Sequence, residues 1–315
     1  MKKLEFVRSK RRICDRVGSS ARELKPNFGE IMKLIKLNLF FGVGFFFLLT
    51  GCAKQNDSAQ QAEATAVQEE ETEVAMAAAS PEPQSGYVEY MWCGFGEEMS
   101  EETWAALKAD FNEIVVASDH KARNVVGFAP QFETENFDGI WTQVWDSKET
   151  RDKGWADWNA NQAEAFDNKW GKVLQCNPDR NFAFEYQQGY QPTSEWTTEP
   201  PFVAMYAFCK INDGFSMEDV AAQGERGSAW VAELEVNNGS TGYWNSMHIP
   251  LFDTTAVEGT VIGYDFMVGH YWPSGEAMAA GMERYLASDL RKQADEIFTC
   301  ENLNFEVDPI LALAN

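Results

Sequence analysis

Apolar positions divide the second two-thirds of the chain into two similar halves. In residues 86–190, short stretches that alternate between apolar and polar positions are typical of strands, whereas apolar residues three and four apart predict helices. The first helix is predicted over about 101–117 and the second over about 148–173. This half therefore has the predicted order strand–helix–strand–strand–helix–strand.

The same order of elements recurs in residues 202–309. Both copies begin with an aromatic-rich strand that ends in cysteine, continue through a serine-capped helix, and reach a second cysteine just before the last strand. The matching anchors, first copy and second copy, are Cys93 and Cys209, Ser100 and Ser216, Pro130 and Pro250, Ser147 and Ser274, and Cys176 and Cys300. We therefore expect one module written twice, over 86–191 and 202–309.

The element order of each copy is that of the split βαβ, or ferredoxin-like, fold, which places the chain in the α+β class. In that sheet the last strand lies antiparallel beside the first, so the end of the first strand meets the start of the last. Of the three pairings of four cysteines, only Cys93–Cys176 with Cys209–Cys300 respects both the repeat and the sheet. The alternative, four thiolates on one zinc ion, needs closely spaced cysteine pairs that the sequence lacks, and no metal site is predicted.

A tandem of βαββαβ modules resembles the dimeric α/β-barrel superfamily in its single-chain, fused-dimer form. That resemblance covers residues 86–309 and rests on element order and duplication. It implies two sheets that face each other, with the helices on the outside. The superfamily includes haem-degrading monooxygenases, haem peroxidases, small-molecule monooxygenases and proteins without known activity, and the fold does not select among them.

The first 51 residues have the pattern of an export signal. An apolar stretch over 37–49 follows a short basic segment that starts at Met32, and it ends in Leu49-Thr50-Gly51-Cys52. This ending resembles the lipobox of bacterial lipoproteins, which implies a signal peptide over 32–51 and a lipid on Cys52. The alternative is a single membrane anchor with a chance cysteine. Residues 1–31 are then an upstream extension, with a basic cytoplasmic arm as the alternative.

Charge separates the amino-terminal region from the rest of the chain. The 315 residues carry a net charge of −23, but from residue 52 onward there are 15 basic and 45 acidic side chains. Such a surface excludes a general nucleic-acid binder, which needs a basic footprint. Residues 52–85 are acidic and lack aromatics, and we interpret them as a disordered tether spanning about 30 Å. The resemblance implies a protein anchored in the bacterial cell envelope, at the outer membrane, facing the periplasm or the cell surface.

Three side chains are weak candidates for catalysis. His270 lies near the end of a predicted strand and is a haem ligand, a general base or a structural histidine; its counterpart in the first copy is Gln143. Glu89 and Asp265 are acids among apolar neighbours, where burial would raise a carboxyl pKa for acid–base work. Exposure or pairing with Arg123 are the alternatives.

Aromatic residues are the strongest compositional signal, with 11 Trp, 22 Phe and 9 Tyr. Most are expected in the core, but Trp92, Trp145, Trp272 and Tyr206 are candidates to line a cleft. We place that cleft between the two repeats, where it would take a small apolar or aromatic-stacking ligand.

Two functions follow from these patterns. The favoured one is an exported, lipid-anchored module that binds a small ligand or partner between the repeats, with no catalysis assigned and no cofactor predicted. The alternative is a barrel enzyme, monooxygenase-like or haem-dependent, that uses His270 and a nearby carboxylate. The membrane, reached through the lipid on Cys52, and a small ligand are the expected partners.

Overall fold

The computed structural model describes residues 85–191, 202–257, 261 and 263–312. The proposed extension, signal peptide, lipobox cysteine Cys52 and nearly all of the tether lie outside these residues. No helix within the described ranges is long and apolar enough to cross a lipid bilayer.

The described chain contains two copies of the predicted element order. The elements of the first copy are β1 (Ser85–Phe95), α1 (Glu101–Ala117), β2 (Asn124–Pro130), β3 (Gly139–Trp145), α2 (Lys148–Asn161), α3 (Ala163–Trp170) and β4 (Leu174–Gln188). Those of the second copy are β5 (Phe202–Ile211), α4 (Met217–Asn238), β6 (Trp244–Pro250), a short 3-10 turn (Thr254–Ala256), β7 (Phe266–Trp272), α5 (Gly275–Leu286), α6 (Asp289–Ile297) and β8 (Phe298–Ala312).

Serine caps fix where the first helix of each copy begins. The Ser100 hydroxyl accepts from the Thr103 amide, and the Thr103 hydroxyl accepts from the Ser100 amide, which satisfies two amides that the first helical turn leaves unpaired. Ser216 and Asp219 form the same arrangement in the second copy. The predicted bounds of α1 are confirmed.

The prediction of one continuous helix over 148–173 is wrong. The backbone leaves the helical conformation at Gln162, where φ is −126°, and two helices result. The bend brings Trp158 and Phe166 to within 5.2 Å of each other, measured between ring centroids, and both rings pack on Phe111. Packing of large rings over the sheet therefore overrides the continuous helical pattern. The second copy is divided in the same way, with Ser288 capping α6.

All eight strands close into one barrel in the order β1-β3-β2-β8-β5-β7-β6-β4. Each copy contributes the ferredoxin-like order of four strands, and the copies join through β2 with β8 and through β4 with β6. Closure leaves no free sheet edge in the described barrel. The predicted fold class, two tandem ferredoxin-like repeats in a single-chain dimeric α/β barrel, is confirmed.

Both predicted disulfides are present, Cys93–Cys176 and Cys209–Cys300. Each joins residues that face each other directly across neighbouring strands. The strands extend further than predicted, because β4 and β8 begin two residues before their cysteines and β8 continues to Ala312. The disulfides therefore lie inside the sheet ladders and not in front of them.

The barrel interior is filled with buried side chains of both repeats, mostly aromatic. At its centre five polar groups form a closed ring of hydrogen bonds, with neighbouring atoms 2.8 to 3.3 Å apart. In order around the ring they are Tyr90, Tyr206, Tyr271, Ser246 and His248. Burial lowers the pKa of His248 to about 3, so the ring is neutral at physiological pH. The predicted cleft between the repeats is therefore wrong in its location, because side chains already occupy that space.

On the outer face of the first sheet, Glu89 is the centre of a buried polar cluster. Its carboxylate accepts from the Arg151 guanidinium, from Trp155 Nε1 at 2.8 Å and from Asn181 Nδ2 at 2.8 Å. Arg151 comes from α2 and so connects the helix to the sheet. The predicted alternative partner Arg123 pairs with Asp146 instead. The Glu89 carboxylate is committed to structure, since three protein donors already use it.

We expect Glu89→Met to lower the free energy of unfolding by about 2–3 kcal/mol, because Arg151, Trp155 and Asn181 lose their acceptor. The double variant Glu89→Met with Arg151→Met should recover part of that loss, because it removes the unpaired guanidinium, and the second copy carries methionine at both equivalent positions, Met205 and Met278. Urea unfolding followed by circular dichroism measures both values.

The matched control is Glu149→Met, which breaks an exposed ion pair with Lys153 on the same helix and should leave the midpoint unchanged. A single Glu89 variant as stable as the parent would contradict a structural role for this carboxylate.

Candidate functional site

A cavity of about 860 Å³ lies in the second repeat, between the outer face of its sheet and helices α4, α5 and α6. Its lining is mainly apolar and includes three methionine residues. The apolar wall includes Met205, Val220, Val231, Met247, Val268 and Met282. The cavity is thus within one repeat and on the opposite side of the sheet from the barrel interior.

The corresponding layer of the first repeat is closely packed, with a pocket of only about 20 Å³ beside Trp104 and Trp141. Strand registers, helix caps and disulfides align the two copies, and large rings of the first copy match small or flexible residues of the second. The pairs are Trp104 and Val220, Phe111 and Gly227, Trp141 and Val268, Trp155 and Met282, and Trp170 and Ala294. In the first copy Phe111 and Trp141 pack with ring centroids 4.8 Å apart, whereas a Cβ placed on Gly227 would meet only Leu290, at 4.0 Å. Small residues therefore create the cavity in a fold that can be packed without one.

A chain of hydrogen bonds reaches the cavity wall at His270. The Tyr190 amide donates to Asn245 Oδ1 at 3.1 Å, and Asn245 Nδ2 donates to Tyr243 Oη at 2.9 Å. Tyr243 Oη lies 2.7 Å from Nδ1 of His270. Nε2 of His270 has no hydrogen-bond partner among the described residues, and the side chain lines the cavity.

Flat rings hold the imidazole in place. His270 lies nearly parallel to Tyr243 and Trp272, with centroids 6.0 and 5.9 Å away. Burial lowers the pKa of His270 to about 4 and raises that of Tyr243, so both groups are neutral at physiological pH. The cavity therefore presents a neutral imidazole beside an aromatic surface.

One end of the cavity is lined by a segment that includes a helical turn absent from the first copy. Helix α4 has 22 residues against 17 in α1, and its added turn carries the buried Glu235. This carboxylate accepts from the Tyr190 hydroxyl at 2.7 Å and from the Thr241 amide at 2.8 Å. Gly239, at φ 81°, allows the chain to turn back over the cavity. The connection between the repeats, which begins at Tyr190, is thereby tied to the cavity.

Of the five aromatic and histidine candidates, only His270 and Trp272 reach the cavity. Trp92 and Tyr206 are buried inside the barrel, and Trp145 is buried on the outer face of the first sheet. Alternation along the strands decides this, since neighbouring residues point to opposite faces. The sequence shows which residues share a face of the sheet, but it does not show which face borders a cavity.

Neither predicted carboxylate accompanies His270. Asp265 is exposed and precedes β7, where it accepts from the Ile211 amide at 2.8 Å; Asp138 does the same for Phe95 in the first copy. Of the alternatives given for Asp265, the structure shows exposure, since the residue lies in a solvated turn and not in an apolar site. The described residues contain no group of three or more His, Cys, Asp or Glu side chains that could hold a metal ion.

The functional residues missed by sequence reasoning are Tyr243 and Asn245 and the small residues that make the cavity. Tyr243 and Asn245 follow a loop and have no motif. The missing rings could have been found by aligning the helices of the two copies and asking where only one copy has tryptophan or phenylalanine.

No protein-family model matches this sequence, and no curated protein does either. Among solved structures, the chain is similar to an anthrone oxidase-like protein at 14% identity and a TM-score of 0.42, over 74% of this chain and 97% of that one. It is also similar to a double mutant of chlorite dismutase from Candidatus Nitrospira defluvii, at 9% and 0.44, over 73% and 93%. A protein assigned as a monooxygenase, from Lactobacillus acidophilus NCFM, gives 8% and 0.43 over 72% and 95%. At these identities and scores we draw no function from the similarity.

Proposed function

We propose that the protein binds a small, mainly apolar ligand in the cavity of its second repeat. The observation that supports this most directly is the difference between the two copies, with a pocket of about 20 Å³ in the first and a cavity of about 860 Å³ in the second. Protein interiors are close-packed and leave few voids larger than a water molecule. A volume of about 860 Å³ is instead typical of sites for cofactors and drug-sized molecules.

Stability gives a second reason. Apolar surface that stays exposed in a cavity partly open to solvent forgoes roughly 25 cal/mol of stabilisation per square ångström. The first copy shows that tryptophan and phenylalanine can fill this layer, so the fold does not require the loss. A ligand that occupies the cavity restores the missing contacts, which explains why a hollow copy is kept.

The lining indicates a flat ligand of variable outline. Methionine side chains are flexible and polarisable, so Met205, Met247 and Met282 can adapt to different shapes. Trp272 and Tyr243 add aromatic rings to the lining, and aromatic rings pack well against other aromatic rings. The surroundings thus favour an aromatic or otherwise planar molecule.

The haem-dependent alternative agrees with the size of the cavity but not with the surroundings of His270. A histidine that ligates a metal donates its other ring N–H to an acceptor. Nδ1 of His270 faces the Tyr243 hydroxyl, which accepts from Asn245 and has no other acceptor for its own proton among the described residues, so Nδ1 accepts a hydrogen bond there. The residues do not fit a haem held by His270, and we propose no haem-dependent step.

We also propose that a lipid on Cys52 anchors the protein in the bacterial cell envelope. The support is the order of a basic segment, a 13-residue apolar stretch and Leu49-Thr50-Gly51-Cys52. The acidic tether would then hold the barrel about 30 Å from the lipid.

Reducing the cavity should weaken ligand binding and preserve the fold. The double variant Gly227→Phe with Val268→Trp introduces a phenylalanine and a tryptophan that the first copy already accommodates at the equivalent positions. We expect the affinity for the apolar probe 1-anilinonaphthalene-8-sulfonate, measured by fluorescence titration, to fall at least 10-fold. The melting temperature should stay the same or rise, because contacts replace empty volume.

Ala229→Leu serves as the control, since Ala229 is exposed on the same helix and outside the cavity, and it should bind the probe like the parent. A filled variant that has the parent's circular dichroism and binds the probe equally well would exclude the cavity as the binding site.

Cys52→Ser should abolish incorporation of radiolabelled palmitate when the full chain is expressed in a bacterium. Cleavage of the signal segment should stop as well, and globomycin should have the same effect on the parent. Cys14→Ser changes the other cysteine upstream of the tether and should leave labelling intact. Membrane retention of the unlabelled parent would instead indicate a membrane-spanning anchor.

A further inference from the structure

The hydrogen bonds that lead to His270 have a fixed direction, because they start at a backbone amide. The N–H of Tyr190 can only donate, so the atom of Asn245 that it meets at 3.1 Å is the carbonyl oxygen Oδ1. The other end of that side chain is then the NH₂ group, 2.9 Å from Tyr243 Oη. An NH₂ group also can only donate.

The Tyr243 hydroxyl continues the chain of hydrogen bonds in the same donor-to-acceptor direction. Its oxygen accepts from Asn245, and its own proton is left for Nδ1 of His270, 2.7 Å away. If His270 instead carried its proton on Nδ1, the Tyr243 proton would have no acceptor among the described residues. Leaving a buried donor without an acceptor is costly, so the network selects one arrangement.

The tautomer of His270 follows from this arrangement. A neutral imidazole carries one N–H, and with Nδ1 as an acceptor the hydrogen is on Nε2. The ring is neutral because burial lowers its pKa to about 4. Nε2 is the ring nitrogen that has no partner in the described structure, and His270 lines the cavity.

The residue opposite His270 provides no acceptor either. His270 faces Met205 across the sheet, whereas in the first copy the equivalent pair is Gln143 and the carboxylate Glu89. A thioether is only a weak acceptor. In the second copy, the Nε2–H donor of His270 therefore lies at the cavity wall, and the position equivalent to the acceptor Glu89 is occupied by methionine.

We propose that His270 donates a hydrogen bond from Nε2–H to the ligand, so that the cavity selects a planar apolar molecule that carries an oxygen acceptor, such as a ketone or quinone carbonyl. Tyr243 and Asn245 are positioning residues that hold the imidazole in the donating tautomer. This inference rests on the proposed function, because it names the ligand class of the same cavity. It also excludes Nε2 as a general base in this state, since that nitrogen already carries a proton.

The tautomer can be measured without any ligand. In protein labelled with ¹⁵N-histidine, two-bond nitrogen–proton correlations distinguish Nε2–H from Nδ1–H. We expect Nε2–H for His270 in the parent and a mixture of tautomers in Tyr243→Phe, which keeps the ring and removes the hydroxyl. Tyr264→Phe removes a hydroxyl in the barrel interior, away from this chain, and should leave the spectrum of His270 unchanged. A proton on Nδ1 in the parent overturns the inference.

The ligand class is tested with 9-fluorenone and fluorene, two flat molecules that differ by one carbonyl oxygen. Displacement of 1-anilinonaphthalene-8-sulfonate from the parent should show a 2- to 12-fold preference for fluorenone, the range expected for one hydrogen bond. His270→Phe should bind both compounds with equal affinity, Tyr243→Phe should show a reduced preference, and Tyr264→Phe should show the preference of the parent.

The outcomes separate the two levels of the proposal. Equal affinity of the parent for fluorenone and fluorene overturns the donor role and leaves an apolar binding site. A different result would overturn the proposed function and this inference with it. In that case neither compound binds, and the filled variant takes up the apolar probe as well as the parent does.

Discussion

Closing a barrel from two four-stranded sheets forces the inner faces of both repeats to share one interior, and here buried side chains of the described residues fill that interior. Aromatic side chains of both copies interlock there around the hydrogen-bonded ring of Tyr90, Tyr206, Tyr271, Ser246 and His248. Since a buried polar group is costly when it is unpaired, this ring connects Tyr90 of the first sheet to partners in the second. A ligand that needs space must therefore find it on the outer faces, under the helices.

Duplication allows the outer layer of one repeat to contain a cavity while the other repeat supports the fold. The first copy fills its layer with tryptophan and phenylalanine and connects helix to sheet through Glu89 and Arg151. The second copy lacks most of these large rings and also lacks the ion pair, since Met205 and Met278 occupy the equivalent positions. Because the copies share one barrel and their sheets are hydrogen-bonded to each other, packing in the solid half supports the half that contains the cavity. Each copy also keeps its own disulfide across the first and last strands.

Sequence predicts what depends on local period and on repetition. The strand order, the α1 bounds and both disulfides follow from alternation, a serine cap and the matched positions of four cysteines. The location of the cavity could not be predicted in the same way, because it depends on rings that are absent, such as the one that Gly227 lacks. Nor could the partner of Glu89: Arg123 and Arg151 are both available in sequence, and only the approach of α2 to the sheet selects Arg151. The bend at Gln162 is likewise a consequence of tertiary packing.

The tautomer of His270 depends on a residue that is distant from it in the sequence. Its motif, Val268-Gly269-His270-Tyr271-Trp272, is equally suited to a base, a metal ligand or a donor. The choice depends on Tyr190, whose amide sets the direction of the Asn245 side chain. Tyr190 belongs to the segment that leaves the first repeat, so the state of the imidazole is coupled to the connection between the copies. An isolated second repeat would lack that amide, and its Asn245 could reverse its amide group and let His270 exchange tautomers. The fusion of the two modules therefore does more than close a barrel, because it determines which nitrogen of the cavity histidine carries the proton.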